Sequence, residues 1–196
     1  MKLKTEILCV IDRSGSMSTT AKDAMGGFDT FIAEQKKLPG EARVTLSQFD
    51  DQYETVYSGK PLADVPHLSL VPRGMTALYD AVGRTLDTQA KRIHDEKWAD
   101  KVIVVIVTDG GENASKEYRH ERIKEMIAHA EKNGWSFVYL AANVDPVATA
   151  MALGINTLSA MNMATGYVAN AAGTRSMYAG MSNTVANLRQ GGTAQP

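Results

Sequence analysis

The segment Val102-Ile103-Val104-Val105-Ile106-Val107, followed at once by Thr108-Asp109-Gly110-Gly111, decides the fold class. Six β-branched residues in succession leave no polar face. The segment therefore reads as a strand covered on both sides, and such strands belong to parallel sheets packed between helices. A second run, Ile7-Leu8-Cys9-Val10-Ile11, has the same character and ends in Asp12-Arg13-Ser14-Gly15-Ser16-Met17. Phe137 to Ala142 is a third strand, poorer in branched side chains.

Helical patterns lie between these runs. Ala21, Met25, Phe28, Phe31 and Ile32 recur at helical spacing until Leu38-Pro39-Gly40 stops them. Leu78, Val82, Leu86, Ala90 and Ile93 share one face of a second helix, and Ile123, Met126, Ile127 and Ala130 one face of a third that ends at Asn133-Gly134. Strand and helix alternate, which predicts an α/β domain. Val44 to Phe49 and Tyr53 to Tyr57 break the alternation, because Asp50-Asp51-Gln52 is too short for a crossover. These two strands form an antiparallel hairpin, the second lying at a sheet edge where Glu54 is tolerable.

Towards the C-terminus the sequence predicts a turn at Asp145-Pro146, a short helix near Val147 to Leu153 and a brief strand near Ile155 to Leu158. A final helix is expected over about Tyr167 to Leu188, and Gly191 to Pro196 reads as a tail. We read residues 1–190 as one domain with its core over about 3–160, the C-terminal strand and helix over about 155–189, and residues 191–196 as flexible. The recurrence of Gly166, Gly173 and Gly180 beside Met163, Met177 and Met181 reads as a small-residue stripe for close helix packing, with a methionine-rich docking face as the alternative.

The 196 residues are 44% hydrophobic and 22% charged with a formal net charge of −1, a balance that offers no electrostatic footprint for nucleic acid or an anionic membrane. The lone Cys9 supplies no disulfide framework. Asp12 interrupts the first apolar run too early for a signal peptide, and no segment reaches membrane-spanning length. The expected address is cytoplasmic, so the sequon Asn113-Ala114-Ser115 is discounted as a glycosylation site.

Asp12 and Asp109 close the two most apolar strands, and ligands of open α/β sheets bind outside the carboxyl ends of such strands, where strand order reverses. On neighbouring strands the two carboxylates would repel and require a shared proton or a cation. Ser14 and Ser16 add hydroxyl oxygens on the same turn, with Arg13 free to point away. Gly15 is expected to let that turn fold tightly, and Gly110-Gly111 to do the same beside Asp109. Hard oxygen donors without sulfur or imidazole favour Mg²⁺, Mn²⁺ or Ca²⁺ over zinc or copper.

Asp12-Arg13-Ser14-Gly15-Ser16-Met17 resembles the signature of the von Willebrand factor type A family, whose metal-ion-dependent adhesion site has five protein ligands. The family's loop threonine matches Thr76 in Gly74-Met75-Thr76-Ala77-Leu78, and its last aspartate matches Asp109. The resemblance spans about residues 3 to 160. It implies a doubly wound, Rossmann-like fold: a mostly parallel central sheet with one antiparallel edge strand and helices on both faces. It further implies that Ser14, Ser16 and Thr76 coordinate a metal directly, and that Asp12 and Asp109 bind it directly or through water. Largely neutral ligands would leave the ion, Mg²⁺ first and Mn²⁺ or Ca²⁺ as alternatives, with much of its charge. A partner protein's Asp or Glu is its natural completing ligand.

The expected function is a metal-dependent protein-binding module of bacterial or phage type, not an enzyme. Two other readings are a metal-stabilised structural or oligomerising subunit and a metal-dependent phosphoester hydrolase. The hydrolase would need a base, for which Asp50 and Glu112 are the spare acids. Glu112 reads as a surface acid, and Asp80 either as support for the Thr76 loop or as a first-turn acid favoured by the helix dipole. Arg13 and Met17 are placed at the site rim, and His67, His94, His120 and His129 on the solvated surface.

Overall fold

The computed structural model describes residues 3–141, 146–155 and 171–192. Five strands form one sheet: β1 (Thr5–Asp12), β2 (Ala42–Phe49), β3 (Tyr53–Pro61), β4 (Lys101–Thr108) and β5 (Ser136–Ala141), in spatial order β3-β2-β1-β4-β5. β1 runs parallel to both β2 and β4, β4 runs parallel to β5, and only the β2–β3 hairpin is antiparallel. The three-residue link Asp50-Asp51-Gln52 leaves no other choice, and it puts β3 at the edge.

Alternation along the strands divides the core into two layers. Ile7, Cys9 and Ile11 of β1 face one side with Val105 and Val107 of β4. They pack there against helix α1 (Ala21–Lys36) and against α5 (Ala171–Arg189) through Met177, Tyr178, Met181, Val185 and Leu188. Leu8 and Val10 face the other side with Val104 and Ile106. Helices α2 (Leu78–Glu96), α3 (His120–Lys132) and α4 (Pro146–Ala152) cover that face through Leu78, Ala81, Ile123, Ile127 and Ala150. Helices on both faces of a doubly wound, mostly parallel sheet are what the uninterrupted β-branched runs demand. Burying one leucine-sized side chain this way contributes roughly 1.5–3 kcal/mol.

α1 and α3 end where their sequences predict. The first stops before Gly40, whose φ of 96° no helix continues, and the third runs into Gly134 at φ 82°. α1 and α5 approach closely at Gly27, where an added Cβ would lie 2.3 Å from the Tyr178 ring. Of the expected small-residue stripe, Met177 and Met181 are buried against the sheet, so these methionines are core; Gly166 and Met163 lie outside the described residues. The expected Ile155–Leu158 strand and the 167–170 start of the last helix also fall largely outside them, as do residues 142–145 and 193–196. None of the described helices is long and apolar enough to cross a membrane.

From β1 the chain winds through α1 to β2 on one side, while β4 sits on β1's other flank. The reversal of direction opens a crevice at the carboxyl ends of β1 and β4, and the register runs Ile11 beside Val107, so Asp12 stands level with the end of β4.

Candidate functional site

Asp12 is the last residue of β1 and is completely buried. Its Oδ1 accepts the Ser14 backbone N–H at 2.6 Å and its Oδ2 accepts the Thr108 hydroxyl at 2.6 Å. These bonds bend the chain into a short 3₁₀ turn, Gly15–Thr19, that brings the serines back over the strand end. Ser14 Oγ lies 3.1 Å from Ser16 Oγ, and Ser16 Oγ donates to Asp109 Oδ1 at 2.5 Å. Gly15 does not need its conformational freedom here. Its φ is negative and a Cβ would meet only the Gly74 carbonyl, at 3.4 Å.

Thr76 reaches the same place from the loop that enters α2. It is buried, and a Cβ added to Gly110 would stand 3.5 Å from Thr76 Oγ1 and 3.4 Å from Ser16 Oγ, so both hydroxyls border the bare backbone beside Asp109. The loop is tied down on every side. The Gly15 N–H donates to the Gly74 carbonyl (3.2 Å), Ala77 N–H to the Asp50 carbonyl (2.9 Å), and Asn113 Oδ1 accepts the Thr76 N–H (2.9 Å). At Gly74 the glycine is required, because φ is +66° and a Cβ would fall 2.1 Å from Asp51 Oδ1. The structure thus gathers all five predicted residues, Asp12, Ser14, Ser16, Thr76 and Asp109, at one end of the sheet.

The electrostatics of this cluster are one-sided. Burial pushes the Asp12 carboxyl upward; hydrogen bonds from Thr108 and Ser14 oppose this, while the negative charge of Asp109 adds to it. Asp109 is raised as well, by burial against the Ser16 hydrogen bond. Among the described residues neither carboxylate forms an ion pair. Two buried acids without a cation are costly unless something positive joins them. The oxygens present, hydroxyls beside carboxylates, suit a hard divalent ion by their chemistry. Softer or all-carboxylate cages have no basis among the described residues, where no three His, Cys, Asp or Glu side chains converge.

Several neighbours differ from expectation. Arg13 does turn away from Asp12, but into the interior: Nε donates to Asp50 Oδ2 (2.9 Å) and Nη1 to Glu54 Oε2 (2.6 Å). Asp50 is therefore not a spare acid, since Arg73 Nε (2.7 Å) and the Gln52 N–H (2.6 Å) also claim it. Met17 is buried core, not rim. Glu112 is half-buried and organises its own loop, accepting from the N–H groups of Tyr79, Ala114 and Ser115 and from the Ser115 hydroxyl. Asp80, in the first turn of α2, accepts the N–H groups of Lys116, Glu117 and Tyr118, so it holds the loop after β4 and not the Thr76 loop. His67, His94 and His129 are exposed as expected, but His120 is half-buried with Nε2 2.6 Å from the Ala152 carbonyl.

Sequence reasoning missed Thr108 and Asn113. Thr108 immediately precedes Asp109, and its hydroxyl faces the opposite strand end because β1 and β4 are in register there. Asn113 was visible only as part of a sequon, yet its side chain is spent on the Thr76 N–H.

No protein-family model matches the chain, and no curated protein matches it. Solved structures do. The von Willebrand factor domain of the type V pili tip protein Mfa5 from Porphyromonas gingivalis is 11% identical, with a TM-score of 0.59 over 94% of this chain and 96% of that one. A von Willebrand factor type A structure from Catenulispora acidiphila is 17% identical at a TM-score of 0.60, over 94% of this chain and 43% of that one. Manganese-loaded TRAP protein from Plasmodium vivax is 14% identical at 0.53, over 71% and 57%. This chain spans about half the length of the latter two. Likeness at this identity establishes the fold, that of von Willebrand factor type A domains.

Proposed function

We propose that this chain is a divalent-metal-dependent protein-binding module, in which Asp12, Ser14, Ser16, Thr76 and Asp109 hold the ion and a partner's carboxylate completes its coordination. One observation carries the reading: two buried acids share the crevice with three hydroxyls, and among the described residues neither acid has an ion-pair partner. Mg²⁺ is the first choice and Mn²⁺ an alternative, the latter being the metal present in the structurally similar TRAP protein. Once bound, the ion would supply an incompletely neutralised positive charge, because three of its five protein ligands are uncharged.

The chain's own residues fit binding better than turnover. Thr108 orients the Asp12 carboxylate and Asn113 holds the backbone at Thr76, so the strand end and the loop are braced before any ion arrives. The two acids that the sequence offered as spare bases are both engaged, Asp50 by two guanidinium groups and Glu112 by its loop, and neither stands ready as a general base. Ser16 is the one exposed member of the five, which puts the approach for a partner carboxylate on its side.

Isothermal titration with MgCl₂ and MnCl₂, paired with thermal denaturation, tests this. A metal that binds only the folded chain should stabilise it by about 2.7 kcal/mol at a hundredfold excess over Kd. Asp12→Ala should abolish both the heat and the stabilisation. Equal metal binding by the variant would remove the basis of the proposal.

A further inference from the structure

Four large hydrophobic side chains stand exposed among the described residues, Val56, Val71, Met75 and Met151, and two of them line one groove. Val56 and Val71 line a groove of about 450 Å³ together with Arg13, Tyr57, Arg73 and Glu54, the last paired with Arg13. Met75 immediately precedes Thr76 and is 56% exposed; Val71 is 69% exposed. The groove abuts the candidate site directly. Its Arg13 sits between Asp12 and Ser14, the Arg73 N–H donates to the Arg13 carbonyl at 2.8 Å, and Gly15 is bonded to Gly74. Apolar side chains grouped at the border of a polar site are what a docking surface looks like before its partner arrives.

The charges name the kind of partner. Arg13 is satisfied within the chain by Asp50 and Glu54. Arg73 is not: its side chain is 56% exposed, and only Nε at 2.7 Å from Asp50 and a long 3.5 Å contact from Nη2 to Gln52 engage it. A purely apolar covering would strip water from that guanidinium and return nothing. The covering segment must therefore bring an acceptor, and a carboxylate matches a guanidinium best. Val71 and Thr76 are five residues apart, at most about 18 Å of chain, which an extended segment of about six residues spans.

We infer that the Val71–Met75 strip and Val56 form a docking groove for an extended acidic protein segment. Its first carboxylate meets the candidate metal site, an aliphatic side chain lies between Val56 and Val71, and a second acid faces Arg73. The first of these contacts rests on the function proposed above; the other two do not.

The test uses the full chain and fluorescence polarisation with labelled eight-residue peptides in which glycine spacers place a leucine and an aspartate within about six residues of a leading glutamate. Comparison peptides replace the leucine by serine or the aspartate by lysine, and titration calorimetry records Mg²⁺ affinity on the same samples. The parent peptide should bind in Mg²⁺, and each comparison peptide at least tenfold more weakly. The double variant Val56→Ser, Val71→Ser should lose the preference for leucine while keeping Mg²⁺ affinity within twofold. Arg73→Gln should lose the preference for aspartate. Equal binding of the leucine and serine peptides overturns the inference, as does the absence of any peptide binding by a chain that binds Mg²⁺ normally. A leucine preference that persists in EDTA upholds the groove and counts against the metal-dependent reading instead.

Discussion

Asp50 lies under the site as the shared anion of two arginines, and replacing it by alanine should be among the most damaging changes in the described structure. Its side chain is fully buried and that of Arg13 is 9% exposed, so Asp50→Ala leaves a buried guanidinium without its main partner. Breaking such a pair costs about 3–5 kcal/mol. Arg13 keeps its bond to Glu54, which is 56% exposed, and the lower end of that range applies. The Gln52 N–H loses its acceptor as well, about 1 kcal/mol more. The total, about 4 kcal/mol, is a large share of a typical domain's 5–15 kcal/mol and corresponds to a fall in Tm of about 8–16 °C. Urea denaturation followed by tryptophan fluorescence measures it. Acid sensitivity supplies a second readout. Burial raises the Asp50 carboxyl, but the hydrogen bonds from Arg73, Gln52 and Arg13 together outweigh it, and the net shift is downward from 3.8. The folded state therefore binds this proton less readily than the unfolded chain. The resulting stability is complete above the unfolded value near 3.8 and is lost as pH falls through the lower folded value. That part of the wild-type acid transition should vanish in Asp50→Ala. A loss of less than about 1 kcal/mol would refute the reasoning.

Gly74→Ala should cost about 1–2 kcal/mol for the left-handed backbone alone, and more because the new Cβ displaces Asp51; chemical denaturation reads the loss. Glu112→Ala removes acceptors from three backbone N–H groups and should lower both Tm and Mg²⁺ affinity, whereas a solvated surface acid would change neither. Cys9 is buried, which pushes its thiol up to about 12, so it should resist iodoacetamide at neutral pH in the native chain and react once the chain is unfolded in guanidinium. Asp109→Asn should raise the stability of the metal-free chain by about 1 kcal/mol, because it removes a charge that burial disfavours and, to a smaller extent, its repulsion of Asp12, while abolishing stabilisation by Mg²⁺. A merely structural aspartate would show the opposite sign in the first measurement.

The parts of the fold legible in the sequence are those governed by local periodicity. The run from Val102 to Val107 admits no half-exposed strand, and Asp50-Asp51-Gln52 admits no crossover, so the parallel centre and antiparallel edge follow. The five oxygen donors were legible because four of them sit at strand ends or on the turn directly after one, where topology dictates position. Long-range pairing was not legible. Nothing in the order Asp12-Arg13-Ser14 says that the arginine turns inward to an aspartate 37 residues away, because that depends on how the β2–β3 turn packs beneath the loop. Glu112 and Asp80 were misread or left open for the same reason. Each carboxylate is spent on backbone N–H groups of a loop whose course only the folded chain defines.

The arrangement of side chains around the five donors bears on selectivity. Asp12, Ser14, Thr76 and Asp109 are all at most 5% exposed, so an ion held there would be open only past Ser16. That opening is bordered by Gly15 and Gly74, which lie against each other, and by Gly110, whose added Cβ would meet Ser16 Oγ and Thr76 Oγ1. Bare backbone lets a short carboxylate such as aspartate or glutamate reach in, but it offers almost no side-chain contact by which one acidic ligand could be told from another. Discrimination must come from the groups just outside the glycine border. On the β3 side these are Met75, Arg73 and Val71, each more than half exposed, on the one loop that also supplies Thr76. Substitutions there should alter which partner is bound and leave metal affinity alone, whereas substitutions among the five donors should abolish both.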